Sequence, residues 1–338
     1  MKRNRMVLCT GLFLLLLLVS VSVPAQHPRK TERKRARRTT QQALMWRDPG
    51  DVAALNTFYG AGGEAHAPNP HGHFTFIKED MNGTSPKFYV EDEQGVRWIA
   101  KMGQEPEAET AATRLLWAAG YFVDEDYYLD YLEVRGISKL KRGQEFISDD
   151  GIAHHVRLKR KPKEVKTVGE WSWFHNPFVG TREFNGLRIM MALINNWDLA
   201  NNNTAIYSVD GEQHYLVKDV GASFGNTGNS LTRSKGVLKD YANSKFIDSV
   251  NGNTVNFVMH SRPFVLSVVN TPNYVRRTRW EDIAKNIPRA DARWLGARLA
   301  QLSDDQIRDC FRAAGYSPDE VEGYTMVVKQ RIAQLNEL

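Results

Sequence analysis

The sequence predicts an α+β chain in two parts, a strand-rich half carrying one helix and then a helix-rich half holding one short hairpin. Three observations lead there. Between Phe74 and Arg160 apolar residues alternate in short runs separated by turn residues, the period of half-buried strands. Inside that region one stretch, opened by Pro106 and closed by Gly120, has helical period instead. Beyond Lys163 the period becomes helical, broken by an Asn-rich loop and two short strands.

The first segment is set apart from the fold. Lys2, Arg3 and Arg5 precede an apolar run from Met6 to Val23, and Val23-Pro24-Ala25 has the small-residue pattern of a signal-peptidase site. Residues 1–25 are therefore expected to be an export signal, which places the folded part outside the cytoplasm. The basic run from Arg29 to Arg38 leaves open a membrane-anchored form, because positive charge beyond a signal favours a cytoplasmic flank. Residues 26–45 are expected to be a disordered basic linker, able to touch an anionic surface through 29–38.

The net charge of +6 belongs to that leader. Residues 1–38 hold ten Lys/Arg and one acid, Glu32, so the 35 basic and 38 acidic residues that remain give −3 for 39–338. The folded part is not basic, and no nucleic-acid partner is expected. Of the two cysteines Cys9 lies in the leader, so Cys310 stands alone and neither an internal disulfide nor a cysteine metal site is expected.

Residues 46–165 are expected to form the strand-rich lobe. After a Gly/Pro-rich loop over 60–73 come strands at Phe74–Lys78, Phe88–Val90 and Val96–Lys101, with turns at Asn82-Gly83-Thr84-Ser85-Pro86 and Asp92–Gly95. A helix over about 106–119 follows, then strands at Tyr127–Val134 and Ala153–Arg160. Residues 166–338 are expected to form the helical lobe. It starts with an amphipathic helix over Thr181–Asn195 and continues with strands at Thr204–Tyr207 and Tyr215–Lys218. It is helical from Trp280 on, with capping boxes at Ser303/Gln306 and Ser317/Glu320. Trp171 and Trp173 read as core or groove wall. His71, His73, His154 and His155 read as loop or strand residues, since no third ligand has recognisable spacing.

The segment 194–225 carries the chemistry. It holds Asp198 in a loop, Asn203 five residues on, and Asp219-Val220-Gly221 after the second short strand, followed by Phe224-Gly225. Phosphoryl transfer needs a carboxylate to orient the acceptor hydroxyl and hard oxygen ligands for metal ions on the nucleotide phosphates. This order of residues can supply both.

Asp198–Asn203 resembles the catalytic loop of the protein-kinase superfamily, and Asp219-Val220-Gly221 resembles its metal-binding motif. With Phe224 the pattern is similar to atypical members, the phosphatidylinositol 3-/4-kinase-like and Fam20-like secretory kinases. The resemblance implies a two-lobed kinase-like fold over roughly 70–338, ATP or a related nucleotide, and Mg2+ or Mn2+. Asp198 would orient the acceptor or act as base, and Asn203 and Asp219 would hold metal. Lys101, closing the third strand, would meet the phosphates. Its partner would be Glu109, which shares a helical face with Ala112, Thr113 and Leu116, whereas Glu107 shares one with Thr110 and Arg114. Asn82, Gly83, Thr84 and Ser85 would stand where the family has its glycine-rich loop. Asn196 and Trp197 replace the usual His-Arg, and Ala200 the usual lysine.

The acceptor can be a protein, lipid, sugar or small molecule. Two other readings compete: a pseudokinase that binds without turnover, and an exported glycan-binding or structural protein in which these residues only form turns.

Overall fold

The computed structural model describes residues 41–137, 139–226, 233–259 and 265–338; the expected signal and most of the basic linker lie outside them. The described chain corrects the end of that linker. Gln42–Leu44 form a strand, β1, and Met45 after it is 1% exposed. An edge strand and a buried methionine hold in place residues that composition alone assigns to a linker. The stretch after β1 turns to the helical half as well. Trp46 meets Trp294 edge-on, Asp48 pairs with Arg298, and Thr57 donates to the Gln306 carbonyl at 2.7 Å.

The strand-rich half is a closed five-stranded barrel. It comprises β2 (Phe74–Glu79), β3 (Lys87–Glu91), β4 (Arg97–Lys101), β5 (Asp126–Arg135) and β6 (Ile152–Arg160), in the order β2-β3-β4-β6-β5. Neighbours run antiparallel except where β2 meets β5, with Phe74 opposite Val134 and Thr75 opposite Arg135; that pairing removes the sheet edge. Alternate residues point inward, and Phe74, Phe88, Val90, Trp98, Leu132, Val156 and Leu158 fill the interior.

Between β4 and β5 runs the one helix of this half, α1 (Pro106–Ala118). Proline in its first turn has no amide hydrogen to leave unbonded, Glu107 and Glu109 complement the positive helix end, and Gly120 at φ +95° takes the chain out. Its alanines, Ala108, Ala111 and Ala112, belong with Leu115 to the larger hydrophobic core of the helical half. The helix therefore joins the two halves.

The helical half begins with β7 (Lys166–Gly169) and α2 (Arg182–Leu193), whose N-cap Thr181 accepts a bond from the Phe184 amide. The hairpin β8 (Thr204–Val209) and β9 (Glu212–Val217) is longer than expected and carries β1 on one side and β7 on the other. Next come α3 (Leu238–Asn243), β10 (Ile247–Asn251), β11 (Thr254–Phe257), the short α4 (Leu266–Val269) and α5 (Thr271–Glu281). The expectation of uninterrupted helix after Trp280 is corrected by β12 (Ile287–Pro288), which pairs with β11 because Ile287 is buried beside Val255. Then follow α6 (Arg289–Leu299), α7 (Asp304–Arg312) and α8 (Pro318–Asn336); both capping boxes are present. Cys310 is buried, and burial pushes its thiol up to about 12. Trp171 and Trp173 are core residues, each 3% exposed.

The result is an α+β chain of two lobes, a barrel with one helix and a mainly helical part. Among the described residues no helix is long and apolar enough to cross a membrane.

Candidate functional site

β4 ends on Lys101, and α1 starts five residues later. The short connection brings the lysine beneath the first turns of the helix. Lys101 is 2% exposed, and its ammonium donates to Glu109 Oε2 at 2.7 Å and to Asp219 Oδ1 at 3.3 Å. A buried ammonium is tolerable only when paired. Glu109 is held from its other oxygen by Arg157 Nη2 at 2.8 Å. Burial works against its ionised form, but Arg157 and Lys101 outweigh it, and the carboxyl stays below its ordinary value. Burial likewise opposes the charge on Lys101, and Glu109, Asp219 and Glu105 overcome it and raise its pKa. The expected Lys101–Glu109 pair is present, while Glu107 is on the surface side, 3.9 Å from His155.

Sequence reasoning can name Glu105 only as a rival to Glu109 beside Lys101, whereas both meet it. Its Oε2 lies 2.5 Å from Lys101 Nζ, its Oε1 2.6 Å from Lys235 Nζ, and Ser85 Oγ donates to it at 2.7 Å. A glutamate just before the helix-opening proline is in sequence an ordinary surface residue, and its partner Lys235 is 130 positions away. The period of the helix could not have marked it.

On the other side the segment 194–203 is set by backbone and amide bonds. α2 ends at Leu193 with Ile194 as its C-cap, and Asn195 takes φ +53°. The side chain of Asn196 accepts from the Asp198 amide at 3.0 Å, and Asn203 Nδ2 donates to the Asp198 carbonyl at 3.0 Å. The Asn203 carbonyl accepts from the Lys218 amide at 2.8 Å and the Asp219 amide at 3.4 Å. Asp198, Asn203 and Asp219 are thus tied through the main chain. Phe224, at φ +54° and fully buried among Tyr241, Phe311 and Tyr324, donates its amide to the Ile194 carbonyl at 2.8 Å and locks the 219–225 turn to the end of α2.

A cavity of about 300 Å3 lies between the lobes. Asn82, Gly83, Lys87, Lys101, Glu109, Lys159, Asn203 and Asp219 are among the residues in its wall. Four lysines and Arg157 against Asp80, Glu109, Glu170 and Asp219 make it a highly charged space, with Ile99 in its wall as well. Burial pushes Lys87 down, reinforced by Lys101 and Lys159 and opposed by Asp80 and Asp219.

Two expectations change here. Of the turn 82–85 only Asn82 and Gly83 face this cavity. Thr84 is exposed and Ser85 is turned to Glu105, and Arg142 fixes the turn by donating to the Gly83 and Asp80 carbonyls at 2.6 and 2.5 Å. Asp198 is half-buried and stands outside the cavity wall. Its charge acts on Arg233, which lies 4.1 Å over the Trp197 ring; burial lowers the Arg233 pKa and Asp198 counters it. A more open cleft of about 450 Å3 borders the same loop at Ala200–Asn202, with His175, Arg279 and Trp280 opposite.

The donor set suits a hard divalent cation. Asp219 keeps a side chain 39% exposed in the cavity wall, and Asn203, with its nitrogen engaged by Asp198, leaves Oδ1 for a cation. The three carboxylates of Glu105, Glu109 and Asp219 also converge, within 4.8 Å, but the Lys101 ammonium already occupies their midst and neutralises them.

No protein-family model and no curated protein matches the chain. Among solved structures it is similar to the Helicobacter pylori proinflammatory kinase CtkA, at 11% identity and a TM-score of 0.46, over 78% of this chain and 96% of that one. It is also similar to the Golgi casein kinase with Mn/ADP bound, at 10% identity and a TM-score of 0.39, over 78% of this chain and 71% of that one. At these identities and TM-scores the likeness assigns no role, and the chemistry of the cleft rests on its own residues.

Proposed function

We propose that the chain is an atypical kinase-like phosphotransferase that moves a phosphoryl group from a nucleotide to a hydroxyl acceptor. The observation that carries this reading is the buried Lys101, paired with Glu109 and reaching Asp219 at the wall of a charged cavity that Asn203 also lines. These residue types at these contacts match what phosphoryl transfer requires: a fixed cation for phosphate oxygens and hard oxygen ligands for metal.

Asp219 and Asn203 would hold Mg2+ or Mn2+, which when bound supplies charge neutralisation on the phosphates. Lys101 contributes a positive charge on the opposite side, kept in place by Glu109 and, behind it, Arg157. Asp198 orients the acceptor hydroxyl and accepts its proton on the carboxylate. Its place by Ala200–Asn202 makes the open cleft there the acceptor side. The leader expected at residues 1–25 would put this activity outside the cytoplasm or at a membrane surface.

One observation favours the pseudokinase reading: Asp198 is not in the wall of the cavity that Lys101 and Asp219 line. The test is Asp219→Asn, which keeps the side chain's size and removes the charge that holds a cation. With magnesium or manganese, wild type is expected to turn over nucleotide and to melt higher in its presence, and the variant to lose turnover by more than about a hundredfold. Equal turnover in both proteins removes Asp219 from the site. Nucleotide stabilisation of wild type without turnover selects the pseudokinase, and neither effect in a folded wild type rejects the nucleotide reading.

A further inference from the structure

Lys101 has three N–H donors and three carboxylates within reach: Glu105 at 2.5 Å, Glu109 at 2.7 Å and Asp219 at 3.3 Å. The phosphotransferase reading uses two of them. Glu109 positions the ammonium and Asp219 stands on the metal side. Glu105 has no part in it, yet it makes the shortest contact.

Glu105 is 9% exposed and touches three further pieces of chain. Ser85 of the β2–β3 turn donates to it at 2.7 Å, and Lys235 pairs with its other oxygen at 2.6 Å. Gly221 lies flat against it, so closely that a Cβ there would stand 2.8 Å from the Glu105 Cβ. The cluster as it stands is balanced: Lys101, Arg157 and Lys235 against Glu105, Glu109 and Asp219.

With two hydrogen bonds and a third carboxylate in ion-pair contact around the Lys101 ammonium, a phosphate oxygen reaches it only by displacing a carboxylate. If Glu109 or Asp219 were the one to leave, the phosphate would meet the Glu105 charge at contact distance. Glu109 is pinned by Arg157. Glu105 alone has a second lysine and a hydroxyl in place to keep it once Lys101 is given up.

We propose that Glu105 competes with the nucleotide phosphates for Lys101 and so sets nucleotide affinity, with Lys235 and Ser85 receiving its carboxylate when the phosphate takes its place. The inference rests on the nucleotide reading of the cleft.

The experiment is calorimetric titration of ADP, first without metal and then with Mg2+, into the full chain as wild type, Glu105→Gln, Lys235→Met and the double variant. Glu105→Gln is expected to tighten metal-free ADP binding by about tenfold, the size of one close like-charge contact removed. Lys235→Met is expected to weaken it about threefold, because Glu105 is left with Lys101 as its main partner. In the Glu105→Gln background Lys235→Met is expected to have no effect, a coupling that a merely structural glutamate does not produce. Glu105→Gln binding ADP no tighter than wild type overturns the proposal. Should Glu105→Gln fail to fold, Lys235→Met and Ser85→Ala decide, and unchanged affinity in both overturns it. Wild-type binding with no gain in Glu105→Gln sinks only the role of Glu105, whereas ADP binding by none of the folded proteins sinks the nucleotide reading itself.

Discussion

The two lobes build their sides of the cleft by different means. On the barrel side the site is made of buried charge: Lys101, Glu109, Arg157 and, one layer back, Arg114 with Asp126 are all 3% exposed or less. On the helical side it is made of main-chain bonds and amides. Asp198, Asn203 and Asp219 hang on carbonyls and amide hydrogens, braced from below by Arg331 of α8. Arg331 donates to the Leu193 carbonyl at 2.8 Å and to Asn195 Oδ1 at 2.7 Å, and lies 4.2 Å over the Tyr241 ring. The barrel side should therefore respond to changes of charge, and the helical side to changes of shape.

Lys101→Met tests the first half most severely. It leaves Glu105, Glu109 and Asp219 without their common cation, and breaking a buried pair in this way costs about 3–5 kcal/mol. Denaturant unfolding should show that loss, and metal-dependent nucleotide turnover should fall by more than about a hundredfold. A variant as stable as wild type would mean that the carboxylates do not depend on this lysine.

Arg331→Met separates the two sides. It removes a buried donor from several carbonyls and should lower stability by about 3 kcal/mol. Turnover should drop with the loop geometry, while nucleotide affinity, set on the barrel side, should change little. If affinity falls as far as in Lys101→Met, the division between the lobes is wrong.

The pH dependence sharpens the charge argument. Burial pushes Asp126 up to about 6, although Arg114, Arg157 and its bond from Thr113 act the other way. A carboxyl whose folded value lies above its unfolded one binds more protons in the native state between the two. Its contribution therefore falls as pH rises from about 4 to about 6, by roughly 2 kcal/mol. Glu105, Glu109 and Asp124, lowered on folding, act in the opposite direction in the lower part of the window, so the test is a difference: stability of Asp126→Asn should rise more steeply, or fall less, from about pH 4 to 6 than that of wild type.

The smallest effects belong to the turn between β2 and β3. Asn82→Ala, on the cavity wall, is expected to weaken nucleotide binding by about 1 kcal/mol, and Thr84→Ala to change neither affinity nor melting temperature. Equal effects from both would show that the whole turn closes over the nucleotide.

Much of this was readable beforehand, and for one reason: local patterns report local structure. Alternation located the five barrel strands, Pro106 and Gly120 bracketed α1, and the two capping boxes opened α7 and α8 where expected. The face of α1 pointed to Glu109, because neighbours at three and four positions share a helical side.

The errors share a cause as well. β1 is a strand through pairing with β9, and β12 through pairing with β11, contacts that no window of sequence contains. Thr84 and Ser85 lie off the cavity in a turn fixed by partners distant in the chain, Arg142 on the Gly83 and Asp80 carbonyls and Glu105 on the Ser85 hydroxyl. Glu105 joined the site because Lys235 and Ser85 converge on it.

By itself the sequence determined the kinds of residue available, the α+β order of elements, and the Asp198, Asn203, Asp219 spacing that points to phosphoryl chemistry. Only the tertiary structure decided which charges are buried together. It gave Lys101 a third carboxylate and left Asp198 out of the cavity wall, since the energy of a charge depends on what surrounds it in space and not on what flanks it in the chain.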